Sequence, residues 1–399
     1  MKQIIRIFYI LLACLSPFGS ANIFNLDQYS AQVDSSQGGF LPLVFGMCTI
    51  VSVLDRNVRT NFKYLKPIFI PLLGFIILLF FSELAFCGGS FNYVYFIKLI
   101  VAIVGFVVMS QTFITYPQIL NNSLLVYAIT SVCIVIAFFA GLLEQSYYYS
   151  NGRLWFLGIN PNTYSFMIGF AIIILLFYIN RKDSSIKYRL SALLCIFPLF
   201  IFLLLSGSRG SLLFLILSII IIYYKHIIYI GLFGMIAISS LGIYISNTEY
   251  EITTLERFSD VGKSNERFGL IEKTLDVFEH SPILGVGPTG YHSMMLSKFN
   301  EERDSHNVII SNLAMGGIFG TILYLLFLFK LFISITKQSK YRVFALAVFI
   351  YMTLISLKTG NVLTYSLMWY IYSVALSLSL NGRDNANKFR SITFKNELL

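Results

Sequence analysis

Long apolar runs follow one another along almost the whole chain and constrain its fold more than any other feature. A helix needs about 20 predominantly apolar residues to cross the roughly 30 Å hydrocarbon core of a bilayer. With a window of that length the sequence predicts an all-α integral membrane protein with about twelve transmembrane helices. The twelve predicted spans lie near residues 4–24, 38–54, 67–87, 92–110, 122–143, 161–180, 190–206, 208–224, 227–245, 307–331, 343–357 and 362–380.

The composition excludes several other classes of protein. The chain is 57% hydrophobic and 12% charged, whereas soluble globular proteins are about 45–50% apolar and about 25% charged. Intrinsic disorder, collagen-like repeats and nucleic-acid binding are therefore excluded, although the net charge is +10. The five cysteines form no C-x-x-C pair and no Cys/His cluster, so neither a disulfide framework nor a metal site is indicated.

The distribution of basic residues predicts how the chain is oriented. In membrane proteins Lys and Arg collect on the cytoplasmic side. If the N-terminus is cytoplasmic, the inside segments hold nineteen of the 29 basic residues, and the short outside loops hold only Arg153, Arg209 and Lys358. An even number of spans with both termini in the cytoplasm fits this asymmetry, and an odd number does not.

A long hydrophilic stretch over residues 246–304 divides the chain. It holds six basic and eleven acidic residues, so its net charge is −5 and the rest of the chain carries +15. The stretch is predicted to be an extracytoplasmic loop domain, and residues 265–280 within it have the apolar spacing of a helix that Pro282 ends. The predicted domains are helices one to nine over 1–245, the loop over 246–304, the last three helices over 305–380 and a cytoplasmic tail over 381–399.

The N-terminus allows two interpretations. Lys2 and Arg6 precede an apolar run that ends in small residues, Gly19 and Ala21 among them. This pattern is typical of a secretory signal with a cleavage site. The alternative is an uncleaved first span, and cleavage leaves the orientation of the other spans unchanged.

Arg209 lies in a turn of small residues, 206–211, between two apolar runs at the predicted outer surface. Small residues such as Ser208 and Gly210 let the backbone approach a ligand, and the planar guanidinium binds phosphate oxygens with two parallel hydrogen bonds. We therefore predict that Arg209 binds phosphate, supported by Ser208 and Gly210. The alternative is an interfacial arginine that reaches toward lipid headgroups.

Two further arginines are candidates of the same kind. Arg153 follows three tyrosines and precedes Trp155, which are aromatic residues typical of the membrane–water interface. Binding and structural roles remain equally open for Arg153. Arg267 begins the predicted loop helix, where an isolated arginine is most often a solvated charge.

His306 lies between the end of the predicted loop and the start of the tenth predicted span. Ser305-His306-Asn307 is followed after nine residues by Gly317 and Gly320, whose small faces favour close helix packing. An imidazole at the outer rim is suited to act as a general base near neutral pH. The alternative is a structural histidine. Glu83, a carboxylate within the third span, is either a local hydrogen-bond partner or a proton site, and the sequence leaves this open.

Together these segments resemble the O-antigen ligase and polymerase superfamily of membrane glycosyltransferases, which use polyprenyl-diphosphate-linked glycans. From Arg153 to Tyr365 the chain follows the layout of that family, whereas the first five spans match it only in hydropathy. The motifs are more specific for the superfamily than for the choice between ligase and polymerase. They are SGSRGSLL at 206–213, Asn265-Glu266-Arg267, SPILGVGPTGY at 281–291 and SHNVIISNLAMGGIFG at 305–320.

The resemblance implies specific roles for the matching residues. Arg209 and Arg267 are expected to hold the donor pyrophosphate, with Arg153 as a further candidate, and His306 is expected to be catalytic with Asn307 beside it. The implied reaction is metal-independent glycan transfer without a cofactor, at the periplasmic face of the bacterial inner membrane. The implied partners are an undecaprenyl-diphosphate-linked glycan, a lipid A–core or growing glycan acceptor and the lipid bilayer, with no nucleic acid.

Several functions remain open at this point. The leading hypothesis is a ligase that moves a finished O-glycan onto lipid A–core, and the nearest alternative is a polymerase that extends the repeat-unit chain from the same donor. A lipid-linked-oligosaccharide flippase predicts charges along a central cavity, yet the apolar runs hold almost none apart from Glu83 and Lys98. A non-catalytic membrane subunit is the remaining alternative.

Overall fold

The structure of the chain is a computed structural model. It describes residues 1–18, 40–59, 65–89, 91–150, 153–157, 159–181, 185–226, 228, 231, 234–235, 265–301, 303–337, 339–360 and 362–381.

The described residues are mainly helical, and the helices are numbered here in chain order. They are α1 (Lys2–Leu15), α2 (Phe40–Val53), α3 (Arg56–Arg59), α4 (Lys66–Phe86), α5 (Tyr93–Thr115), α6 (Pro117–Phe139), α7 (Pro161–Asn180), α8 (Ile186–Leu205), α9 (Arg209–Ile222), α10 (Asn265–Glu279), α11 (Gly287–Phe299), α12 (Val308–Thr336), α13 (Arg342–Ser356) and α14 (Ser366–Asn381).

Six of these helices are long and apolar enough to cross a membrane: α4, α5, α6, α7, α8 and α12. Three shorter apolar helices lie at Leu41–Val53, Arg209–Ile222 and Arg342–Ser356. These helices support the predicted all-α membrane class, while the number of twelve spans stays a prediction. The predicted ninth span (227–245), the first part of the predicted loop, the proposed cleavage region and the C-terminal tail lie largely or wholly outside the described residues.

A short hairpin precedes α7 and was not predicted. Strand β1 (Tyr147–Ser150) pairs antiparallel with β2 (Arg153–Phe156), with Tyr148 opposite Trp155 and Ser150 opposite Arg153. The sequence between the strands is Asn151-Gly152, a pair that favours two-residue hairpin turns. Tyr148 and Trp155 stack across the hairpin with ring centroids 5.8 Å apart, an aromatic cross-strand pair that stabilises it.

The chain divides into two compact units. The first comprises Met1–Leu12, Pro42–Asn121 and Ser264–Leu399, and the second comprises Ala13–Leu41 and Asn122–Lys263. The first unit therefore holds α2–α5 and α10–α14, and the second holds the hairpin and α7–α9.

The core of the first unit is aromatic where α5, α12 and α14 meet. Trp369 is fully buried and lies 5.8 Å from Phe106 and 5.7 Å from Phe327, measured between ring centroids. Its indole N–H donates to the Leu363 carbonyl at 2.7 Å. The ring thus buries a large apolar area while its polar group keeps a partner.

Helix α12 is broken at Gly317. Gly317 has φ 61° and ψ −165° inside the helix, a conformation that is essentially restricted to glycine. On either side of the break, Gly316 and Gly320 pack against α4, where an added Cβ would lie 3.2 Å from Leu79 and 3.3 Å from Leu78. The predicted close packing against a neighbouring helix is confirmed at Gly320, whereas Gly317 packs against the backbone of Ile283 and Gly285. The break within the helix was not predicted.

The second unit is centred on α7, in which 78% of the most apolar 18-residue stretch is buried. Aromatic side chains from the hairpin, α7 and α8 pack edge to face around it: Phe156 lies 5.0 Å from Tyr164, and Tyr164 lies 5.2 Å from Phe202. The buried hairpin residue Phe156 thus fixes the hairpin, and Arg153 with it, against α7 and α8.

We predict that Gly317→Ala lowers the free energy of unfolding by about 1–3 kcal/mol. The added Cβ would meet the Ile283 backbone, and the alanine would have to adopt a positive φ. The thermal midpoint of the purified protein in detergent measures the effect. Gly269→Ala is the matched control, because a Cβ at Gly269 meets nothing within 4 Å and Ala favours a helix. Equal midpoints for the two variants would contradict the prediction.

Candidate functional site

The segment that joins α10 to α11 packs against the break in α12 and bonds to its backbone. In an unbroken helix the Ile318 amide would donate to the Ala314 carbonyl. Instead the Ala314 carbonyl accepts from Val286 N at 2.9 Å, and Ile318 N donates to the Pro282 carbonyl at 2.9 Å. Both backbone groups that the break exposes therefore have partners in one segment, as buried backbone groups require.

Glycine is needed where this segment turns. Gly285 has φ 75° and Gly287 has φ 72°. An added Cβ would press on the Met315 backbone at Gly285, and at Gly287 it would lie 2.6 Å from the Cα of Glu83. The segment therefore forms a tight loop that lies directly against α4 and α12.

Glu83 fixes the start of α11. Its carboxylate, fully buried, accepts hydrogen bonds from Thr289 N at 2.9 Å, from the Thr289 hydroxyl and from Asn92 N at 3.0 Å. Val286, at the N-cap position of α11, makes no side-chain cap bond, so a carboxylate from another helix supplies the cap and the negative charge that a helix start favours. Of the two roles that the sequence left open, the local hydrogen-bond partner is the one that the contacts support.

The turn between α11 and α12 carries His306 and is held by hydrogen bonds on both sides. The Tyr291 hydroxyl accepts from Ser305 N at 3.2 Å and shares a hydrogen bond with the Thr274 hydroxyl at 3.2 Å. The Ser305 hydroxyl is 2.9 Å from that of Ser311 in the first turn of α12. Hydroxyls of α11 and α12 therefore contact Ser305, the residue that precedes His306, and a hydroxyl of α10 contacts Tyr291.

His306 is paired with an acidic neighbour that the sequence analysis did not single out. Asp304 Oδ1 accepts from the His306 amide at 2.9 Å and lies 3.4 Å from His306 Nδ1. The His306 side chain is 39% exposed and that of Asp304 is 12% exposed. A covered carboxylate thus faces one ring nitrogen of an accessible imidazole.

The surroundings of His306 lower the pKa of its imidazole. Burial is the largest effect and lowers the pKa of His306 below its ordinary value. Asp304 and Glu301 raise this pKa, whereas the positive charges of Arg267 and Arg303 lower it. The net shift is downward, so the imidazole is available to accept a proton at neutral pH.

Glu301 is the centre of an ion-pair cluster in the same turn. Its carboxylate receives Arg303 Nε at 2.8 Å and Nη2 at 3.1 Å, and Lys273 Nζ lies at 3.4 Å. Hydrogen bonds from Arg303 are the largest cause that lowers the pKa of Glu301, to about 2. Nothing in the spacing of Glu301, Arg303 and Asp304 indicated a site, because their roles depend on how the turn folds.

The other predicted residues of the first unit have distinct places. The Asn307 side chain accepts from Ile309 N at 3.0 Å and from Ile310 N at 3.2 Å, so Asn307 caps α12. Arg267 lies exposed in the first turn of α10 and acts electrostatically on His306. The structure therefore brings Arg267, His306 and Asn307 together in one unit.

The second unit holds Arg153 in a polar cluster around Asn162. The Asn162 side-chain oxygen accepts from Arg153 Nη2 at 2.8 Å and from the Ser208 hydroxyl at 3.2 Å. Arg153 Nε also donates to the Ser206 carbonyl at 3.3 Å. The Asn160 side chain caps α7, since it accepts from Asn162 N at 2.9 Å. Asn162 thus takes part in the cap through its backbone and in the polar cluster through its side chain.

Arg209 is the first residue of α9 and is half-buried. The predicted turn before it is confirmed: Gly207 has φ 66°, and the neighbouring Ser208 and Gly210 are buried. The Ser208 hydroxyl bonds to Asn162 and Ser211 rather than capping α9. The amides of the first turn of α9 thus receive no cap bond from Ser208, and a helix start of this kind favours an anion.

The described residues contain no group of three or more His, Cys, Asp or Glu side chains that could hold a metal ion.

We predict that Asn162→Ala lowers the free energy of unfolding by about 1–3 kcal/mol, because Arg153 and Ser208 both lose their shared acceptor. Thermal unfolding in detergent measures the loss. Asn162→Asp is the matched control, since a carboxylate retains both acceptor contacts. Equal losses in the two variants would show that the shared acceptor is not what stabilises the cluster.

Removal of the Glu301 carboxylate should produce a stability effect that depends on pH. The pKa of Glu301 is lowered to about 2 in the folded protein, so its stabilising contribution is complete above the unfolded value of about 4.3 and is lost as pH falls toward 2. Glu301→Gln should therefore unfold at a lower temperature than the wild type at pH 7, and the difference should narrow at pH 3. Arg303→Met removes the main partner of Glu301, so its unfolding temperature should also approach that of the wild type at pH 3. A difference in unfolding temperature that is constant with pH would contradict the prediction.

The family model described as O-antigen ligase matches residues 193–325, a stretch that includes Arg209, Arg267 and His306 but not Arg153. No curated protein sequence matches the chain significantly. The family match therefore confirms, over residues 193–325, the resemblance of this chain to the O-antigen ligase and polymerase superfamily.

Proposed function

We propose that this protein is a membrane glycosyltransferase of the O-antigen ligase type. It would move a glycan en bloc from undecaprenyl diphosphate to a sugar hydroxyl of lipid A–core in lipopolysaccharide biosynthesis. The observation that carries this proposal is the accessible His306 imidazole, which lies in the family-matched segment with a covered carboxylate at its Nδ1 side. A pKa lowered by burial suits this imidazole to act as a base.

The proposed chemistry is a single displacement at the anomeric carbon. His306 takes the proton from the acceptor hydroxyl as its oxygen attacks that carbon. The bond from the anomeric carbon to the diphosphate oxygen breaks, and undecaprenyl diphosphate leaves with the electron pair. The imidazolium then releases its proton to solvent, which restores His306 for the next cycle.

Negative charge develops on the leaving diphosphate, and guanidinium groups are suited to offset it. We assign this role to Arg209 and Arg267, with Arg153 as a further donor-binding residue and with Ser208 and Gly210 allowing close approach of the backbone. The start of α9 supports the assignment, because Arg209 lies at a helix N-terminus that favours anions. In this proposal the reaction needs neither a metal nor a cofactor.

The proposed location is the bacterial inner membrane, with both termini in the cytoplasm and the site at the periplasmic face. The distribution of Lys and Arg supports this orientation. The polyprenyl tail of the donor would remain in lipid while its sugars extend into the periplasm. The domain boundaries predicted from the sequence remain part of this proposal.

A polymerase that transfers the same donor glycan to a growing glycan chain is the second candidate, because the donor chemistry is shared and only the acceptor differs. Lipopolysaccharide from a deletion strain distinguishes the two on a gel. Loss of all O-antigen with long lipid-linked chains accumulating supports the ligase, whereas single repeat units on the core support the polymerase. A flippase, the distant alternative, would show neither transfer reaction when purified.

Substitution of the two principal residues tests the enzymatic mechanism. In a reconstituted assay with a lipid-diphosphate glycan, His306→Ala should lower the transfer rate at least about 100-fold, the usual contribution of a general base. Arg209→Ala should lower it by a similar factor, and Arg209→Lys should retain part of the activity because it keeps the charge but not the planar fork.

His280→Ala is the matched control for the histidine. His280 is also in the loop, but its ring is exposed and its Nδ1 contacts only the Asp276 carbonyl among the contacts described. The His280→Ala variant should transfer glycan at the wild-type rate. Wild-type transfer by His306→Ala would exclude the proposed base.

A further inference from the structure

The turn that carries His306 is strained in a way that requires support. His306 has φ 51°, a left-handed backbone conformation that residues other than glycine rarely adopt. Such a conformation is unfavourable and persists only where neighbouring contacts impose it. Asp304 supplies one of these contacts, because its Oδ1 accepts the His306 amide at 2.9 Å.

The same carboxylate oxygen also faces the imidazole. Asp304 Oδ1 lies 3.4 Å from His306 Nδ1. One oxygen thus contacts both the backbone and the ring of the same residue, which restricts the rotation of the ring relative to the turn. Hydrogen bonds of catalytic groups are often long before substrate binds and then tighten, so this separation is compatible with a working pair.

Asp304 is in turn held from the other side by the segment between α13 and α14. A Cβ added to Gly360 would overlap the Asp304 carboxylate, so the glycine backbone lies directly against it. The Tyr291 hydroxyl holds Ser305, the next residue along the chain. Asp304 therefore has little freedom to leave the imidazole.

The chemistry of a neutral imidazole makes this contact important. Only one ring nitrogen carries the proton, and a hydrogen-bond acceptor at Nδ1 places the proton there. Nε2, on the far side of the ring, is then left unprotonated. A carboxylate at Nδ1 also stabilises the imidazolium that forms when Nε2 accepts a proton.

We propose that Asp304 is the positioning residue of His306, holding its imidazole as the Nδ1–H tautomer so that Nε2 takes the proton of the acceptor hydroxyl. The inference rests on the proposed function of His306 as the base. Asp304 itself touches no reacting atom and acts through His306.

The pH dependence expected from this pair includes the charged groups among the described residues that act on His306. Arg267 of α10 and Arg303 lower the pKa of His306, and Asp304 and Glu301 raise it. Asp304 also acts electrostatically on Tyr95 of α5 and Tyr291 of α11. Replacing Asp304 with the isosteric Asn removes a raising effect and leaves the others, so the pKa of His306 should fall further.

Nitrogen NMR of the full-length protein in nanodiscs with labelled histidine tests the tautomer without depending on activity. The His306 signals are identified by their loss in His306→Ala. In the wild type at neutral pH they should report the Nδ1–H form. Asp304→Asn should shift the population toward Nε2–H and should move the His306 titration to lower pH, and an unchanged tautomer and titration would overturn the inference.

Kinetics on the same samples separate this inference from the proposed function. Asp304→Asn should lower kcat about 10- to 100-fold with KM nearly unchanged, and the acidic limb of its pH–rate profile should move to lower pH. Wild-type kcat and profile in Asp304→Asn, together with inactivity of His306→Ala, would overturn the positioning role alone. Wild-type transfer by His306→Ala would overturn the proposed function instead.

Two further variants control for folding. Asp276→Asn makes the same chemical change in the same loop, at an exposed carboxylate that pairs with Lys298 at 2.6 Å, and should leave both the kinetics and the His306 spectrum unchanged. Gly360→Ala retains the aspartate at 304 but displaces its carboxylate, so it should lower kcat and alter the His306 spectrum in the same direction as Asp304→Asn. A Gly360→Ala protein that matches the wild type in both measurements would contradict the proposed support of Asp304.

Discussion

The exchange of backbone hydrogen bonds at the break in α12 is the interaction on which the rest of the site depends. Because Gly317 interrupts the helix, Ala314 and Ile318 bond to Val286 and Pro282 instead of to each other. These two bonds fix the segment that leads into α11. The position of α11 then sets that of Tyr291 and of the turn that carries His306.

The same arrangement explains how a mainly apolar protein supports polar chemistry at the end of a helix. Buried polar groups are costly unless each has a partner. In the turn of His306 the hydrogen-bond partners are Tyr291, Ser311 and Asp304, and the Gly360 backbone packs against the Asp304 carboxylate. A site assembled in this way holds its imidazole in place before substrate binds, which reduces the reorganisation needed during reaction.

The sequence predicted the large features because hydrophobic periodicity and proline and glycine signals act locally. The apolar runs, the α10 helix and the turn before Arg209 all follow from residues next to one another. Asp304, Asn162 and the helix break at Gly317 could not be predicted in this way. Their roles depend on partners far apart in the chain, such as Gly360 for Asp304 and Ile283 for Gly317.

The most direct test of the account is the position of the acceptor hydroxyl in a structure of the protein with a non-reactive donor glycan and an acceptor bound. The account predicts that this oxygen lies within about 2.6–3.2 Å of His306 Nε2, the reach of a general base, with Asp304 still on Nδ1. An acceptor hydroxyl bound beyond hydrogen-bond reach of His306, and beside a different base, would contradict it.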